Sequence, residues 1–126
     1  MYGVNQYQSA QTDTAGPAQL VLMLYDGALV RLEIATESIE AGNAEAAHNA
    51  LVRAQAIVDE LNVTLDVDKG GEVAANLRDI YLYCSNRLVE ANLAKDATIV
   101  AEVARLLQGL RDAWDQACVR SAVSVA

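Results

Sequence analysis

From Pro17 to Glu40, apolar residues recur at helical spacing on two separate azimuths. Val21, Tyr25, Ala28, Leu32, Ala35 and Ile39 step by 4, 3, 4, 3, 4 and make one stripe. Leu20, Met23, Gly27, Val30 and Ile34 step by 3, 4, 3, 4 and make a second. A surface helix needs only one such stripe. The first runs the whole helix without a charged interruption and is the better core candidate. The second either widens the core face or stays free for a partner, and the pattern alone leaves both open. The start of the helix is well marked: Gly16 is an acceptable N-cap, and Pro17 fits the first helical position, where its missing N–H costs nothing.

Three more amphipathic segments follow. The second helix, from about Ala44 to Leu65, opens after a Gly42-Asn43 stop signal and buries Ala47, Leu51, Ala54, Val58, Leu61 and Leu65 on one face. Asp66 to Gly71 reads as a turn. The third helix, from about Glu72 to Leu93, has a core seam of Ala74, Leu77, Tyr81, Cys84, Leu88 and Ala91. Away from that seam, Leu82, Val89 and Leu93 make a second, narrower apolar line. Lys95-Asp96 is a short turn. The fourth helix, from about Ala97 to Val119, has the seam Ile99, Val103, Leu106 or Leu107, Leu110, Trp114 and Ala117.

Four such helices joined by short turns predict an all-α fold, an antiparallel up-down four-helix bundle. The expected organisation is an N-terminal arm over residues 1–16, the bundle over 17–119 and a frayed C-terminal tail over 120–126. In the arm, Val4 and Tyr7 are one helical turn apart, so a short helical turn packed on the body and a frayed terminus are both open.

Composition narrows the function classes. The chain has 126 residues, 53% of them hydrophobic, and a formal net charge of −8. That charge argues against nucleic acid or an anionic membrane surface as main partner. No apolar run approaches the ~20 residues that span a bilayer, and the N-terminus has no basic and apolar signal pattern. Cys84 and Cys118 sit at apolar helical positions without C-x-x-C spacing, as expected of free thiols in a reducing cytoplasm.

Candidate chemistry is sparse. Glu45-x-x-His48 has the spacing used by di-iron bundles, but His48 is the only histidine, and such a site needs the motif twice. His48 on a bundle helix also suggests a phosphotransfer domain, although the Lys and Gly expected just after the histidine are absent. There is no G-x-S-x-G, no phosphate loop and no complete calcium loop. No cofactor or metal is expected, and the chain reads as a non-enzyme. Apolar surface beyond the bundle seams points instead to protein binding, or to homodimerisation through the Leu82/Val89/Leu93 line.

The motifs T-A-x-P-x-x-L-x-x-M-L-Y-D-G-A (Thr14–Ala28), G-G-E-V-A-x-N-L (Gly70–Leu77), I-Y-x-Y (Ile80–Tyr83), R-L-x-x-A-N (Arg87–Asn92) and L-R-x-A-W (Leu110–Trp114) share one source of likeness. With Tyr7 ahead of them, they resemble the flagellin-specific export chaperone family of bacterial flagella over nearly the whole chain. The resemblance implies a cytoplasmic helical bundle that binds the C-terminal segment of flagellin, prevents early polymerisation and helps deliver it to the export apparatus, with the export gate as a further partner. It implies that Tyr7 belongs to a displaceable arm, and Pro17, Leu20, Met23, Leu24 and Tyr25 to the signature of the first helix. Together with Gly27, Val30 and Ile34 on the first helix and Leu82, Val89 and Leu93 on the third, these are the expected partner-binding residues, on a monomer or weak homodimer. Two positions depart from the family pattern. Gly16 stands where serine is usual, and Leu82 stands where a polar residue is more common.

Overall fold

A computed structural model describes residues 16–125. They form four helices: α1 Pro17–Glu40, α2 Ala44–Val63, α3 Val67–Ala94 and α4 Ala97–Val125. Each packs on the next, and α4 returns to α1, so α1 and α3 sit diagonally across the bundle. The α1–α2 contact is the most extensive and the α3–α4 contact the thinnest. Among the described residues, no helix is long and apolar enough to cross a membrane.

Local chemistry explains the helix ends. Gly16 is extended (φ −70°, ψ 167°) and Pro17 follows it, so α1 starts at the expected place. Gly42 adopts φ +74°, and Asn43 then caps α2 by accepting the Ala46 N–H at 3.1 Å. Lys95 closes α3 in the left-handed region at φ 52°, with the Asp96 N–H returned to the Ala91 carbonyl.

Two boundaries differ from those the sequence pattern predicts. Asp66 accepts the Lys69 N–H at 3.1 Å, which starts a helical turn at Val67, inside the expected loop. Gly71, at φ 58° and ψ −133°, breaks that turn from the main run of α3. At the other end, α4 continues to Val125, because no Pro or Gly follows Val119 to stop it.

The core follows the seams closely. Tyr25, Leu32, Leu51, Val58, Leu61, Cys84, Leu88, Val103 and Leu107 are buried, together with alanines 28, 35, 47, 54 and 91. Val21, Ile39, Leu65 and Leu77 are partly buried against them. Of the two candidates on α4, Leu107 is core and Leu106 is exposed. Leu22, Ala50, Val100 and Ser85 are also buried, although they fall between the stripes.

Candidate functional surface

The second α1 stripe lies outside the core. Met23, Val30 and Ile34 are 39%, 53% and 37% exposed, and Leu20 and Gly27 are half-buried. On α3, Leu82, Val89 and Leu93 are 48%, 41% and 84% exposed. The core closes without any of these six large side chains. Leaving them in water forgoes about 25 cal/mol for each Å² of apolar area that stays uncovered.

The α3 line has a definite position. Leu82, Ser85 and Val89 share one helix face at i, i+3 and i+7. The Ser85 hydroxyl donates to Asp59 Oδ1 on α2 at 3.2 Å. The line therefore follows the α2–α3 edge. The opposite edge of α3 is polar: Arg87 pairs with Glu90 and with Glu102 of α4, and the Tyr83 hydroxyl donates to Glu102 at 3.0 Å. These donors hold the Glu102 carboxyl below the usual carboxylate range, the Arg87 contact contributing most.

A third apolar surface lies at the end of the bundle where α1 and α3 start and α2 and α4 finish. A cavity of about 360 Å³ there is lined mainly by Val21, Leu65, Val73, Ala74, Leu77, Tyr81 and Trp114. A neighbouring hollow of about 460 Å³ adds Pro17, Ala18 and Leu20. The Trp114 indole N–H donates to the Ala18 carbonyl at 2.9 Å, which fixes the ring as a shared wall between them. The kink at Gly71 sets the first turn of α3 apart from the helix that follows, and Gly70 and Val73 on either side of it both line the cavity.

The expected binding residues therefore divide. Pro17, Leu20, Met23, Gly27, Val30, Ile34, Leu82, Val89 and Leu93 have accessible surface, and Leu24 is partly buried against the core. Tyr25 does not belong with them: it is 2% exposed and its hydroxyl is bonded to Tyr81, so it is a core residue with no face for a partner. Its spacing had already placed it on the core stripe. Tyr7 lies outside the described residues. The periodicity of the chain does not disclose the end cavity. Its walls read as seam residues and a turn, and only the Gly70-Gly71 break close to a seam tryptophan hinted at it.

His48 is exposed, and its Nδ1 is engaged by the Asn92 side-chain amide at 2.9 Å. Asn92 is itself held by Lys95, whose ammonium donates to its carbonyl and side-chain oxygens. The imidazole thus ties α2 to the end of α3.

Comparison with known proteins agrees with the motif pattern. The family model described as flagellar protein FliS matches residues 1–121. The flagellar secretion chaperone FliS of Bacillus subtilis is 40% identical over 111 residues, 88% of this chain and 82% of that protein. Its counterpart in Salmonella typhimurium is 40% identical over 119 residues, 90% of this chain and 88% of that protein. The flagellar secretion chaperone FliSB of Pseudomonas aeruginosa is 35% identical over 119 residues, 91% of this chain and 94% of that protein.

Proposed function

Since the chain belongs to the FliS family of flagellar proteins, we propose that this flagellar export chaperone holds the C-terminal segment of flagellin on its exposed apolar surfaces. It is a chaperone and not an enzyme, and the phosphotransfer alternative for His48 is not favoured. The client is bound in the cytoplasm before export, kept from polymerising and passed to the export gate.

One observation carries the reading. Two exposed apolar lines flank a core that closes without them, and an apolar cavity opens among the described residues at the end of the bundle. An unfolded client must be ordered on binding, and burial of apolar area has to offset that cost. Separate apolar surfaces on different edges of a bundle suit a long segment that wraps rather than a compact partner. The α1 stripe and the α2–α3 edge supply helical grooves, and the end cavity can take one bulky side chain.

The test is co-purification with full-length flagellin and with flagellin lacking its C-terminal segment. The full-length client is retained and the truncated one is lost. Val30→Asp and Met23→Asp weaken the complex at unchanged helical circular dichroism, since both side chains are partly exposed outside the core. Equal retention of the two flagellins, or of neither, overturns the reading.

A further inference from the structure

We propose that a cleft on the α1–α2 hairpin docks an acidic amphipathic segment of a partner protein, separately from the end cavity. The cleft, of about 510 Å³, is lined by Arg31 and Ile34 of α1 and by Ala46, Val52 and Arg53 among others of α2. Ile34 lies 13 residues beyond Val21 along α1, which at 1.5 Å per residue puts it roughly 20 Å from the end cavity.

The charge arrangement carries the proposal. The chain has 17 acidic residues against 9 basic ones. Of the described arginines, Arg31, Arg53, Arg78 and Arg105 form no ion pair with that excess, and of these Arg31 and Arg53 line one cleft together. Among the described residues, every ion pair is made by Arg87, with Glu90 and Glu102, or by Arg111, with Asp26, Asp112 and Asp115. Arg31 and Arg53 pair with no described carboxylate, and no acidic residue lines their cleft. Two guanidinium groups thus stand unpaired at one concavity of an acidic surface. Guanidinium groups are suited to bidentate recognition of carboxylates.

The lining also selects the kind of partner. Ile34 and Val52 are 37% and 45% exposed beside the arginines, so the site offers aliphatic contact as well as charge. A segment with apolar residues on one side and Asp or Glu at its margin satisfies both. A long polyanion such as nucleic acid uses neither aliphatic side chain, and the net charge of −8 repels it at range. At physiological salt the screening length is about 8 Å, so charges beyond that range act weakly in the cleft, and no acidic residue is among those that line it.

A titration of the isotope-labelled full chain tests this. The probe is an amphipathic helical peptide of about 18 residues with leucine on one face and glutamate on the other, in about 0.15 M salt. The amides of Arg31, Ile34 and 46–53 are expected to shift on titration. Arg31→Gln with Arg53→Gln is expected to weaken binding roughly fivefold, two partly exposed charge pairs being lost. The same variant must keep its helical circular dichroism and, because Ile34 is shared with the client surface while the two arginines are not, its retention of flagellin. Equal binding of a peptide with lysine in place of glutamate overturns the proposal. So does an unchanged affinity in the variant, a set of shifts centred on Trp114, or a single-stranded oligonucleotide that shifts these amides when the acidic peptide does not.

Discussion

The hydroxyl oxygens of Tyr25 and Tyr81 lie 2.5 Å apart, joining α1 to α3 across the diagonal of the bundle. Both residues are nearly sealed, at 2% and 3% exposure, and their rings are 6.4 Å apart between centroids. Each hydroxyl is the hydrogen-bonding partner of the other. Removing one strands the other in an apolar interior. We expect Tyr25→Phe or Tyr81→Phe alone to destabilise the fold by about 1–3 kcal/mol, and the double variant to cost less than the two singles added. Urea unfolding of the three variants measures this. A double variant that costs the full sum contradicts the pairing.

The same pair sets the alkaline limit of the fold. Both phenols are pushed above their usual value of 10.0, burial being the largest cause for each. The unfolded chain ionises these tyrosines from about pH 10, whereas the folded chain resists. Stability is therefore unaffected below about pH 9 and falls as the pH rises through 10. The urea midpoint is expected to drop between about pH 9 and pH 11 in the native chain, and to drop less in the Tyr25→Phe/Tyr81→Phe variant.

Four glycines behave in opposite ways. A Cβ on Gly27 would sit 3.6 Å from Ile57 Cδ1, an ordinary contact, and one on Gly109 would meet nothing within 4 Å. Gly27→Ala and Gly109→Ala are each expected to stabilise the bundle by roughly 0.5–1 kcal/mol. Gly71, at φ 58°, has open space but a backbone that resists a side chain, so Gly71→Ala costs about 1–2 kcal/mol. A Cβ on Gly70 would fall 2.6 Å from the Ala74 Cβ and is expected to destabilise too. Thermal melts rank the four. A stabilised Gly27→Ala chain that retains less flagellin assigns that glycine to close approach by the client.

The two cysteines differ in reactivity. Cys84 has no exposed surface, and burial, helped by the nearby Glu102 charge, pushes its thiol up to about 11. Cys118 is partly exposed. At about pH 8 an aromatic disulfide reagent should titrate one thiol rapidly in the folded chain and the second only in denaturant. Cys118→Ser should abolish the rapid phase.

The helices and most of the core were legible in the sequence because a period of 3.6 leaves little freedom to a chain with short turns. Leu51, Val58 and Leu61 are buried where their spacing puts them. Leu22 and Val100 are buried off the seams because a bundle helix touches two neighbours, so its buried face is wider than one seam. Asp66 has the pattern of a turn residue, but its side chain accepts the Lys69 N–H and so starts a helix from the same residues. The exposed stripes were legible as surplus, and α1 could be assigned only once the packing was known. The end cavity was not legible. It depends on how four helix ends meet around Trp114, which no periodicity within one helix records.

The unequal contacts between the helices have a dynamic consequence. The α1–α2 junction is the broadest and α3–α4 the thinnest, closed at its surface by the Arg87, Tyr83 and Glu102 side chains. Sub-global opening starts where the least contact is lost. The bundle is thus expected to part first along α3–α4, like a book whose spine is the α1–α2 hairpin. The α2–α3 edge and the α1 stripe both lie away from that parting line. Each can therefore keep its shape while the molecule breathes, and grip on a client need not wait for the bundle to be rigid throughout.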